Sequence, residues 1–183
     1  NLPAANLTGA LPAISGANLT GISAGITMAD KWAMTNDYSL SNASTYYTIT
    51  GTWARSTSAG YSGSGSAIGS AMTESSGVFT FPSTGIYYIV YDCLTGTTQD
   101  QTNMWSYITV GADNTSTNYL SVMASSGDSG TMNTVTHSAM LDVTNTSNQK
   151  VFLRGYAGNT GSYVSGNANL QRSAVTFIRL GDT

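Results

Sequence analysis

The stretch that most constrains this chain is residues 77–94, which read GVFTFPSTGIYYIVYDCL. Val78, Phe79 and Phe81 lead into Pro82, which has no amide hydrogen to give to a ladder and so marks the end of a strand. Gly85 then supplies a turn position free of Cβ constraint. From Ile86 the residues alternate. Tyr87, Ile89, Tyr91 and Cys93 share one face, while Ile86, Tyr88, Val90 and Leu94 share the other. Both faces are apolar, so the strand is expected to be a central one, covered on both sides.

The rest of the chain reads as further strands set between polar turns. Residues 46–55 alternate Ile49, Gly51 and Trp53 against threonines, and residues 104–110, 119–124, 151–156 and 174–180 are short runs of strand formers. In residues 135–143, Val135, His137, Ala139, Leu141 and Val143 occupy one parity, opposite Thr136, Ser138, Met140 and Asp142. Residues 59–70, 125–130 and 157–169 are rich in Gly, Ser and Asn and read as loops. Helical periodicity is not sustained anywhere. Evenly spaced short strands predict an all-β fold, a jelly-roll β-sandwich built from residues 35–183.

Residues 1–26 differ from everything that follows. They read NLPAANLTGALPAISGANLTGISAGI, carry no charge, and repeat ANLTG from Ala5 and again from Ala17. Leu7, Leu11, Ile14, Leu19 and Ile22 punctuate small polar residues, and Pro3, Pro12 and the glycines argue against a helix. Neither the heptad of a coiled coil nor the third-residue glycine of collagen is kept. A flexible linker is one reading. The other is an extended repeat stalk whose aliphatics bury only when three copies wind together. Residues 27–34, TMADKWAM, are expected to form a helical turn or a short collar between this segment and the knob.

Phe79, five residues, Gly85, then Tyr87, Ile89 and Tyr91 resembles the signature of the trimeric complement globular head, a jelly roll akin to tumour necrosis factor. That pattern is F-x5-G-x-Y-x-F-x-[FY], and Ile89 stands at its second Phe; upstream, Met72 and Ala67 depart from it. QKVFLRG from Gln149 resembles the family's late GDxVxLxx strand, and SAVTFIRL from Ser173 its closing strand. The resemblance covers residues 35–183 and implies a homotrimer. The ANLTG repeats, in turn, are similar to segments that precede a C-terminal knob in fibre and virion proteins of marine bacteriophages.

Composition excludes several functions. Only 8% of the residues are charged and the net charge is −3, so there is no basic footprint for nucleic acid and no polybasic membrane patch. No stretch approaches the roughly 20 apolar residues of a membrane span, and no charged segment followed by an apolar one marks a signal peptide. The chain begins at Asn1, so further sequence before it is expected. Cys93 is the single cysteine, expected to be buried and inert.

Catalysis is not expected. His137 is the only histidine and lies on the apolar parity of a strand, where a satisfied core histidine is the commoner reading. No G-x-S-x-G elbow surrounds a serine. Glu74 is the sole glutamate, and Asp100, Asp113 and Asp128 sit among turn formers. One His and one Cys make no zinc cage, so neither metal nor cofactor is expected. Trp105, Tyr107, Tyr119 and Tyr156 are expected to pack in the sandwich or against a neighbouring subunit, leaving Tyr61 and Tyr163, both read as loop residues, as candidate glycan contacts.

These readings converge on a structural virion protein of a bacteriophage, a trimeric fibre or spike on the exterior of the particle. Residues 1–26 would join it to other virion proteins, and the knob would decorate the particle or bind a host-surface glycan. A secreted complement-head-type lectin or ligand module is the alternative, and a glycan-cleaving tailspike domain with a close Asp/Glu pair is the third reading.

Overall fold

The computed structural model describes residues 25–51, 53–55 and 67–183, so the stalk positions Leu7, Leu11, Ile14, Leu19 and Ile22, and Tyr61, lie outside the described residues. Among the described residues every regular element is a strand. Two sheets face each other across one core.

The first sheet, sheet A, is centred on the strand with which the sequence reading began. This is β7 (Gly85–Thr97), whose partners are β10 (Met132–Val143) along one side and β13 (Ala174–Gly181) and β12 (Ser162–Val164) along the other. Beyond β13 lie β1 (Met28–Met34) and β4 (Trp53–Arg55), and β2 (Tyr38–Leu40) pairs with β12. Sheet B runs β5 (Thr73–Ser75), β6 (Val78–Thr80), β11 (Lys150–Ala157), β8 (Gln101–Gly111) and β9 (Asn118–Gly127), with β3 (Thr45–Thr48) beside β11.

Three elements differ from the expectations. Residues 27–34 form no helical turn or collar: Met28–Met34 is the strand β1, held between β13 and β4. Its inward parity is Met28, Asp30, Trp32 and Met34, so a buried aspartate interrupts the apolar pattern that would have marked it. Residues 46–55 are not one strand but two, β3 in sheet B and β4 in sheet A, with Gly51 between them at φ +71°. The loop read over residues 157–169 contains β12.

The core is aromatic. Phe79 is fully buried, with Trp32, Trp53 and Phe177 ring centroids at 5.7, 5.5 and 5.3 Å. Phe81 stacks on Tyr87 at 4.4 Å, and the Tyr87 hydroxyl donates to the Ser83 carbonyl at 3.0 Å, pinning the Pro-Ser-Thr-Gly turn to the strand it opens. Gly85 sits at φ +143°, and a Cβ there would meet the Gly181 carbonyl oxygen at 2.6 Å. The turn between β5 and β6 is Ser76-Gly77, both at positive φ, the geometry that matches a two-residue hairpin to strand twist.

Asp30 accounts for its own burial. It accepts from the Trp32 indole at 3.1 Å and the Met72 amide at 2.9 Å, and it pairs with Arg55 at 3.3 Å. The Arg55 guanidinium lies 4.5 Å over the Trp32 ring. A buried charge is tolerated when it is paired and hydrogen-bonded in this way.

Candidate functional site

Alternation along the strands gives each sheet an inner and an outer face. The inward residues of β7 are Tyr87, Ile89, Tyr91 and Cys93, all fully buried. Its outward residues are covered only in part within the chain: Ile86, Val90 and Leu94 are half-buried and Tyr88 is 36% exposed. In the register Met140 of β10 and Ile178 of β13 stand on either side of Tyr88. With Met140 64% and Leu180 55% exposed, this is an apolar band across the middle of sheet A. Both faces of β7 were expected to be covered; one chain buries the inner face fully and the outer face in part.

The outer face of sheet B carries a second feature. Trp105 and Tyr107 of β8 point away from the core, opposite Met104 and Ile108, which are in it. The register sets Tyr156 of β11 beside Trp105 and Tyr46 of β3 beside Tyr156. The Tyr46 ring lies 5.0 Å from Tyr156 and 5.6 Å from Tyr107, which in turn lies 4.9 Å from Tyr119. Tyr107 is the buried member, and burial, then its hydrogen bond with Tyr46, push its phenol well above the usual tyrosine range. Tyr46, Asn103, Trp105, Tyr107 and Tyr156 line an open pocket of about 330 Å³. Trp105, Tyr107 and Tyr156 were expected to pack, and nothing in the sequence marks Tyr46 as their neighbour.

Tyr163 is not a loop residue. It lies in β12, and its ring crosses Gly96, where a Cβ would come within 2.3 Å of it. The glycine is the socket for one side of the ring, and Tyr163 is half-buried.

Three titratable side chains are fixed by burial or by hydrogen bonds. His137 is buried between the sheets, its Nε2 2.9 Å from the Ser106 hydroxyl and its Nδ1 3.0 Å from the Ser121 hydroxyl, and burial lowers its pKa to about 4. Cys93 is buried nearby, and burial pushes its thiol up to about 12. Asp113 caps its own turn by accepting from the Thr115 amide and hydroxyl at 3.0 and 2.6 Å, which holds its carboxyl below the usual range. Among the described residues no group of three or more His, Cys, Asp or Glu gathers as a metal would require, and no helix is long and apolar enough to cross a membrane.

No protein-family profile matches the chain, and no curated protein does. Solved structures do. Eiger TNF from S. frugiperda superposes with a TM-score of 0.63 at 14% identity, covering 87% of this chain and 96% of that one. Murine APRIL at pH 5.0 superposes with a TM-score of 0.60 at 11% identity, covering 84% and 98%. The vertex protein P5 of PRD1 does so with a TM-score of 0.55 at 13% identity, covering 86% and 99%. At such identities the likeness is one of fold, and the fold is the jelly roll of tumour necrosis factor.

Proposed function

We propose that this chain is a homotrimeric knob on the exterior of a bacteriophage particle, a fibre or short spike that attaches without catalysis. The observation that carries the trimer is the band formed by Tyr88, Met140, Ile178 and Leu180 on sheet A. An apolar patch at the centre of a sheet is what further copies of a chain cover. The evenly spaced aliphatics of residues 1–26 support the same association, since a repeat of this kind gains its cover from neighbouring copies. Likeness in fold to a vertex protein supports a place on a particle. Residues 1–26 then join the knob to other virion proteins, and the free knob meets a host-surface glycan. Its strength comes from avidity, three knobs on each fibre and many fibres on each particle.

The test is the solution mass of the full chain by light scattering. Three copies of a 19.0 kDa chain give about 57 kDa; a mass of one copy overturns the trimer. For the virion role, an antibody against the knob should label the outside of purified particles that contain the chain. Likeness in fold to Eiger TNF favours a second reading, a secreted ligand module. Chain found free in the medium, with particles unlabelled, would decide for it.

A further inference from the structure

The pocket on sheet B lies on the opposite sheet from the apolar band of Tyr88, Met140 and Ile178. Its volume of about 330 Å³ falls at the small end of ligand sites. Its position follows from the registers. Met28, Arg179 and Gly181 lie with Gly85–Tyr87 at one end of the sandwich, and β7 runs from there to Thr97 at the other. At that far end the Thr98 amide donates to the Gly161 carbonyl, and the Ser129 amide and Asn159 side chain both donate to Asp100, locking three loops together. Asn103 and Trp105 near the start of β8, and Tyr156 near the end of β11, flank these loops. The pocket therefore lies toward the end of the knob away from Met28, where β1 begins.

Its chemistry is specific. Every lining residue is uncharged, and four of the five are aromatic. Tyr46 is 52% and Trp105 36% exposed, large rings that the fold itself leaves in water. Asn103 adds an amide: its Oδ1 is buried without a hydrogen-bond partner, seated against Gly158, where a Cβ would come within 2.1 Å. Arg154, opposite Tyr107 in the register, is buried, its guanidinium held by the Asn114 carbonyl and the Phe152 ring.

We propose that this pocket binds one uncharged sugar ring, a neutral hexose or N-acetylhexosamine unit of a surface polysaccharide. The C–H face of a pyranose stacks on aromatic faces, where the ring quadrupole is negative. Its hydroxyls find the phenol oxygens and the Asn103 amide, groups that both donate and accept. A uronic or sialic acid would bring a carboxylate to a pocket lined by no cation, which is unfavourable when water is displaced. The sheet A band, formed by apolar side chains, suits a second copy of the chain instead.

This inference deepens the attachment reading above and rests on it for the source of the sugar. The full chain, labelled, is applied to an array of neutral and acidic oligosaccharides, and the best neutral binder is titrated against wild type, Tyr46→Ala and Trp105→Ala. Wild type should bind neutral glycans, and each substitution should weaken the interaction about tenfold, the worth of one aromatic contact. Melting curves and light scattering on the same samples should match wild type, because both side chains are exposed. Binding confined to acidic glycans, no binding at all, or wild-type affinity in both variants overturns the assignment. So does a variant that falls from trimer to monomer, which would give this face to contacts between copies. Sugar binding by a chain that never trimerises, or that is absent from particles, would sink the virion reading and leave the pocket standing.

Discussion

A buried histidine between two serine hydroxyls fixes how this protein should respond to acid. In the unfolded chain His137 titrates near its ordinary value of 6.5, and in the folded chain near 4. Between those values the unfolded chain binds a proton that the folded chain does not, so stability falls as the pH drops. Above about 6.5 the contribution is intact; by about 4 it is lost, a change of roughly 3 kcal/mol. Urea unfolding at pH 7.5 and pH 4.5 should show the loss, and His137→Gln should flatten the pH dependence over that window. An unchanged slope in the variant would mean that other groups set it. The histidine was legible in the sequence because its parity matched Ala139, Leu141 and Val143, and burial of Cys93 followed in the same way from its parity with Tyr87, Ile89 and Tyr91. Tyr163 was not, because a glycine-rich neighbourhood looks like a loop whether or not a short strand crosses it.

Among the elements, β7 explains most of the fold and also marks where pattern reading stops. Its two apolar parities were read as two covered faces, and that is true of the strand only if other copies are present. Met140, the most exposed apolar side chain of the band, gives a clean test. Met140→Glu places a charge opposite Tyr88 at the proposed contact, yet disturbs no core residue. We expect the variant to stay folded with a cooperative melt, since the substituted side chain lies outside the core, and to run in light scattering as a single copy. A trimer undisturbed by this change would move the contact elsewhere. Other elements were hidden for definite reasons. In β1 the inward position between Met28 and Trp32 is Asp30, whose salt bridge partner Arg55 lies on another strand, so the alternation looked broken. The aromatic pocket joins Tyr46, Trp105 and Tyr156, residues far apart in sequence. Their adjacency depends on the registers of β3, β11 and β8, which loop lengths and turns set and a hydrophobic pattern does not.

At the scale of the molecule, residues 1–26 and the sheet A band are two proposed routes to the trimer, and they can be separated. If the sheet A band is sufficient, a chain lacking residues 1–26 should keep the mass of three copies. A fall to a single copy would assign trimerisation to the repeat, and the band would then need another partner. The jelly roll itself was legible from strand spacing and from the Phe79 to Tyr91 signature, because its core residues are consecutive in parity along β6, β7 and β13. Where the chain ends lie was not. The first strand pairs with the last, Met28 opposite Arg179, so entry and exit stand side by side. A domain whose ends meet is one that can be circularly permuted, or inserted whole into a loop of a host protein, through a short bridge. Such a module can change its carrier without rebuilding its interior, and any cargo fused after Thr183 would leave from the end where β1 begins, clear of the opposite pole.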